Sequence, residues 1–275
     1  MSPRRRIVVS ALAIAAVGVV VVGLLSTFQR SLIYLPDTST PRPAGDVIAG
    51  AEDITLHTED GLDLDAWLVP PSAGADRDMA VLYLPGNGGN REGRAGIAQL
   101  LSERGFTVLM VDYRGYGGNP GSPSEEGTGL DALAAIQALD EAGFPLHQVI
   151  YFGESIGTGV AARLQTVAEP AGVVLRSPFT DLAAVASRQV FGLPVGWLLK
   201  DRYPVVEDLS RTDVPVTVIY GDDDTIVPAA LSEEVAASAP NLVEKLEVAG
   251  NHNDAVMFGA EVADAVVRLA EKVAP

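Results

Sequence analysis

The chain is predicted to be an α/β protein with a mostly parallel sheet covered by helices on both faces. Three features carry this expectation. Short apolar runs recur at Ala80 to Leu84, Thr107 to Val111, Gln148 to Phe152, Gly172 to Leu175, Val216 to Tyr220 and Val243 to Val248. Most are separated by stretches of helical character, the pattern of parallel strands buried on both sides. An alternating hairpin precedes them, so the sheet opens antiparallel. With 275 residues, 48% hydrophobic and 20% charged, the chain has the composition of a globular protein with a sizeable core, neither collagenous nor disordered.

The amino-terminal segment stands apart. Arg4, Arg5 and Arg6 precede Ile7 to Leu25, 19 residues without a charge, which at 1.5 Å per residue reach about 28 Å, close to the thickness of a hydrocarbon core. The Ala-x-Ala sequences lie inside this stretch rather than just beyond it, which favours an uncleaved signal-anchor over a cleaved secretory signal. The three arginines should stay cytoplasmic, placing residues 31–275 on the extracytoplasmic face, with Arg30 a weak counter-signal. Residues 1–30 are therefore expected to be a membrane anchor, and the chemistry to lie wholly beyond it. Residues 31–50, with PDTSTPRPAGDVIAG at their end, read as an extended arm or linker.

The catalytic-size unit is expected over residues 51–275. Asp60-Gly61 signals a turn between Glu52–His57 and a strand in which Leu62, Leu64, Ala66 and Leu68 alternate with Asp63, Asp65 and Trp67, a half-buried pattern. Ser122-Pro123-Ser124-Glu125 reads as a capping box with proline at the first helical position, opening a helix to about Glu141. Val262, Val266, Leu269 and Val273 form the apolar stripe of a last helix. Residues 178–213 are too long for a simple crossover and read as a small helical cap, whose Phe191, Leu193, Trp197 and Leu198 are candidates for an apolar substrate pocket.

Charge and cysteine content exclude several functions. The first 30 residues hold four Arg and no acid, so 15 bases face 36 acids in the remainder, a net of −21. That field repels phosphate backbones and anionic headgroups, and no Lys/Arg run follows residue 6, so nucleic acid is not expected as a partner. With no cysteine there is no disulfide, thiolate metal site or Cys nucleophile.

The chemistry-bearing motif is Gly153-Glu154-Ser155-Ile156-Gly157, a G-x-S-x-G that follows an apolar strand and precedes a helix from Ile156 to about Thr166. In that context the serine sits on a sharp turn above the sheet, where the glycines leave room for crowded backbone. A serine hydroxyl needs a general base. Of the three histidines, His57 precedes the nucleophile and His147 lies at the wrong end of its strand, whereas His252 follows the last strand, in the order Ser, acid, His. The acid should follow the preceding strand, where Asp222, Asp223 and Asp224 all stand; position alone does not separate them. A calcium loop is excluded because its D-x-[DN]-x-[DN]-G pattern and distal Glu are missing. Oxyanion-stabilising N–H groups are expected from Ile156 and from the glycine-rich loop Pro85 to Asn90. That loop lacks the Gly-Lys-Ser/Thr of a phosphate loop, and Gly157 to Ala162 fits the dinucleotide letters only inside a helix.

Together these residues resemble the α/β-hydrolase superfamily, and within it the single-span, membrane-anchored serine hydrolases that include depalmitoylase-like members. The resemblance covers residues 28–270. It rests on Phe28 to Tyr34, Pro85 to Asn90, Asp112 to Gly117, Pro123 to Gly127, the elbow, Ser177-Pro178-Phe179 and Gly221 to Pro228. It implies an α/β-hydrolase fold of about eight strands, Asp224 as the acid through a G-x-x-D-x-x-V-P pattern, and His252 through His-Asn-Asp. The family often has His-Gly where this chain has Pro85-Gly86, a departure that leaves the N–H of Asn87 available. The implied activity is hydrolysis of carboxylic esters or thioesters of small or acylated substrates on Ser155, Asp224 and His252, with no metal or organic cofactor. An aminopeptidase or amidase activity and a non-catalytic scaffold are the competing expectations.

Overall fold

The structure, a computed structural model, describes residues 2–72, 74, 76–189 and 196–274. Eight strands form one sheet: β1 (Glu52–His57), β2 (Asp63–Val69), β3 (Ala80–Leu84), β4 (Thr107–Val111), β5 (Val149–Glu154), β6 (Gly172–Arg176), β7 (Val216–Gly221) and β8 (Leu242–Val248), in the order β8-β7-β6-β5-β3-β4-β2-β1. The β1–β2 and β2–β4 pairs are antiparallel, with Leu56 opposite Leu64 and Ala66 opposite Val111, and all other pairs are parallel. The carboxyl ends of β5, β6 and β7 thus share one edge, where open α/β sheets carry their sites.

The central strands are buried at every position because each face has its own helical layer. On one face Ala132 and Ala135 of α3 (Glu125–Glu141) and Val160 of α4 (Ile156–Leu164) pack against Leu82, Leu109 and Tyr151. On the other, Ile97 and Leu101 of α2 (Ala95–Glu103) join Val262, Val266 and Leu269 of α7 (Ala260–Val273) over Val81, Val108 and Phe152.

Several local expectations are corrected. The helix start near residue 122 shifts by two positions: Ser124 is the cap, accepting from the N–H of Gly127 at 3.0 Å. The carboxylate of Glu125 then turns outward to accept from the N–H groups of Arg202 and Tyr203, at 2.6 and 3.0 Å, joining α3 to the cap. Trp67 is fully buried beneath the guanidinium of Arg91, 5.4 Å from the ring centroid, because β2 is covered on both sides beyond Asp65.

The arm after residue 30 is packed rather than a free linker. Leu35 and Pro36 pair in parallel with Gly88 and Gly89, Tyr34, Ala44 and Ile48 are buried, and Ala44–Val47 forms one helical turn. The amino-terminal helix α1 (Pro3–Ile33) is continuous over 31 residues. Its described side chains up to Phe28 are exposed or half-buried, while Gln29 is buried against the domain. Within residues 178–213 lie α5 (Leu182–Gln189), a 3-10 turn Gly196–Leu198 and α6 (Val205–Leu209). Phe191 and Leu193 lie outside the described residues.

Candidate active site

Ser155 sits between β5 and α4 with φ 51° and ψ −115°, a left-handed conformation that costs a non-glycine residue about 1–3 kcal/mol. The surroundings enforce it. The Ser155 N–H donates to the Arg176 carbonyl on β6 at 2.8 Å, and the Thr158 hydroxyl donates to the Ser155 carbonyl at 2.6 Å. The turn requires both flanking glycines: a Cβ on Gly153 would meet the Gly157 carbonyl oxygen, and one on Gly157 would run into that of Leu84.

After β7, Asp224 is buried while Asp222 and Asp223 are exposed. The three aspartates, equivalent by position, are therefore distinct in the fold. Asp222 accepts from the Gly250 N–H at 2.9 Å, a loop-bracing role. Asp224 Oδ2 lies 2.7 Å from Nδ1 of the buried His252. Its Oδ1 accepts from the N–H groups of Ile226 and Val227 at 2.9 and 2.8 Å. Burial opposes ionisation of Asp224, but the His252 hydrogen bond and these two amides outweigh it and hold the carboxyl below its ordinary range. The pairing places the histidine proton on Nδ1 and turns Nε2 into an acceptor. Neither other histidine shares this environment: His57 pairs with Asp63 on the exposed hairpin, and His147 lies in the turn leading into β5.

A cavity of about 430 Å³ borders Ser155, within the usual size of small-ligand sites. Asn87 and Ile156, the two residues expected to supply oxyanion N–H groups, line it beside Ser155. Asn87 is held by its side-chain amide, which donates to the Ile33 carbonyl at 2.8 Å, and by its own carbonyl, which accepts from Tyr116 Oη at 2.8 Å. Phe179, Val185, Leu198 and Leu199 add apolar wall from the cap. Trp197, expected in this pocket, faces outward at 69% exposure.

Two parts of the site are not evident from the sequence. Glu154, just before Ser155, is buried in a ring of partners: Tyr83 Oη donates to it at 2.5 Å, Arg94 pairs with it at 3.0 Å and Arg176 at 3.1 Å. Burial opposes its charge, yet the two guanidiniums prevail and hold its carboxyl at about 2. The signal was an arginine at the end of an apolar strand and an acid inside the elbow. The second part is α1. Leu25, Gln29, Leu32 and Ile33 form one cavity wall, so the chemistry is not wholly beyond the apolar helix, as its sequence implied.

The chain matches the α/β-hydrolase fold family over residues 80–194. It is 40% identical over 270 residues to the uncharacterized protein Rv2307c of Mycobacterium tuberculosis, covering 97% of this chain and 95% of that one. It is 28% identical to the lysophosphatidylserine lipase ABHD12 of Danio rerio, over 84% of this chain and 71% of the relative. Among solved structures it superposes on the Pyrococcus furiosus esterase Pf2001 with a TM-score of 0.71 at 21% identity, covering 88% and 98% of the two chains.

Proposed function

The chain belongs to the α/β-hydrolase fold family, and on that premise we propose that it is a membrane-anchored serine hydrolase of carboxylic esters, able by the same chemistry to cleave thioesters. The observation that carries the proposal is the strained Ser155 bordering an apolar cavity, with a buried His252–Asp224 pair at the same sheet edge. The lipase and esterase names of the two relatives support an ester over other acyl donors.

In the proposed reaction Ser155 Oγ attacks the carbonyl carbon as His252 Nε2 takes its proton, and the carbonyl π electrons move to oxygen. The N–H groups of Asn87 and Ile156 stabilise that oxyanion. Collapse breaks the bond to the leaving alcohol or thiol, which receives the proton from Nε2, and leaves an acyl-Ser155. Water, deprotonated by the same Nε2, then attacks the acyl carbon; the acid departs and Ser155 recovers its proton. Asp224 keeps the imidazole oriented and balances the transient imidazolium.

An aminopeptidase would need a carboxylate to hold the substrate's free amine, and among the described residues no acid lines the cavity. Anchoring through α1 is part of the same proposal, supported by the apolar stretch ending at Leu25, with Arg4 to Arg6 cytoplasmic. Fluorophosphonate labelling of the full chain, compared with Ser155→Ala, tests the reading. Labelling of the native protein and none of the variant is expected; an unlabelled native protein would favour a scaffold.

A further inference from the structure

α1 is longer than a membrane span requires. Its 31 residues measure about 46 Å, whereas the apolar stretch Ile7 to Leu25, which ends at Ser26-Thr27, fills about 28 Å, nearly a hydrocarbon core. A helix spanning with that stretch leaves Ser26 to Ile33 standing beyond the hydrocarbon.

This projecting end is fastened to the cap. Gln29 Nε2 donates to the Leu198 carbonyl at 3.1 Å, and Gln29 Oε1 accepts from the Lys200 N–H at 2.7 Å. Arg30 forks onto both oxygens of the buried Asp201, at 2.9 and 3.0 Å. With the helix end fixed to the cap, the catalytic unit is held against the place where the span leaves the membrane.

The same place is where the cavity has its α1 wall. Leu25, the last residue of the apolar stretch before Ser26 and Thr27, and Leu32 both line the cavity and remain 41% and 67% exposed. Phe28 beside them and Trp197, on the turn packed against α1, are also exposed. Exposed aromatic rings at the end of a span are the composition of a membrane–water interface.

We propose that the cavity opens onto the bilayer surface beside α1 and takes one acyl chain of a membrane-resident ester, drawn from the leaflet along Leu25 and Leu32 to Ser155. The inference rests on the serine-hydrolase reading and adds the route and class of substrate to it. The acidic domain disfavours anionic headgroups, so a zwitterionic surface is the partner to use.

The full chain is reconstituted into phosphatidylcholine vesicles containing acyl-brominated phosphatidylcholine, which quenches nearby indoles. The chain has two tryptophans, and Trp67 is buried in the core. Quenching is expected in the native protein and should vanish in Trp197→Phe; an unquenched native protein overturns the proposal. On the same vesicles, Leu32→Trp should lower the ratio of kcat/KM for p-nitrophenyl myristate to that for p-nitrophenyl acetate by about tenfold, the scale of one or two methylenes in an apolar pocket. An unchanged ratio overturns the acyl route. Fluorophosphonate labelling of the same samples separates the failures: labelled protein without quenching defeats this inference alone, whereas unlabelled native protein defeats the hydrolase reading beneath it.

Discussion

Arg176 donates from Nη1 to the backbone carbonyl of His252 at 2.9 Å. Its Nη2 lies 3.1 Å from Glu154 Oε1, so one buried guanidinium ties the residue before Ser155 to the loop bearing His252. Arg176→Met would strip that loop of its anchor and leave Glu154 with Arg94 as its remaining cationic partner. Breaking a buried pair from one side costs about 3–5 kcal/mol. A clearly lowered melting temperature in detergent is expected, together with reduced ester turnover per folded molecule; an unchanged Tm would show the contact to be dispensable.

The Glu154 carboxyl also sets an acid limit. Its folded value, about 2, is depressed below the ordinary 4.5. The ionised acid therefore contributes stability fully above pH 4.5, and this is lost as pH falls toward 2. Tm should decline across that window in the native protein and more shallowly in Glu154→Gln, which should be less stable at pH 7. Parallel profiles would mean the buried charge does not govern acid unfolding.

Asp224→Asn should lower kcat by about three orders of magnitude or more, because it disrupts the tautomer that leaves His252 Nε2 free. Asp222→Asn removes only the bond to the Gly250 N–H and should do far less. Steady-state kinetics at matched circular dichroism compare them; a larger loss in Asp222→Asn would reassign the acid.

Most of the fold was legible because buried parallel strands announce themselves as apolar runs, and the G-x-S-x-G stands where β5 ends and α4 begins. The choice of Asp224 required a family pattern, since three consecutive aspartates differ only by which side chain turns inward. Contacts remote in the chain left no local trace: Arg30 and Asp201 are 171 positions apart. Trp67 misled because alternation assumes a sheet with one wet face, which holds for Asp63 and Asp65, whereas β2 is covered on both faces from Ala66 onward. The start of α3 slipped because two serines precede Glu125, and it is Ser124, extended in backbone, whose hydroxyl accepts from the Gly127 amide.

A chain beginning at Ser31 lacks Gln29 and Arg30 and leaves the buried Asp201 without its guanidinium. Hydrogen bonds to charged groups contribute about 1.5–3 kcal/mol, so this truncation should be less stable and less active on esters than one beginning at Leu25. Arg30→Met in the full chain should reproduce the loss of Tm. Equal stability of all three with the native chain would reduce α1 to a tether.

In the proposed mechanism Ser155 carries the acyl group. Rapid mixing of the full chain with p-nitrophenyl butyrate, acid quenching and peptide mass analysis test it directly. A burst of p-nitrophenol matching the enzyme concentration is expected, with a butyryl group on Ser155 and neither in Ser155→Ala. Turnover that persists in Ser155→Ala, or an acyl group on another residue, would contradict Ser155 as the nucleophile.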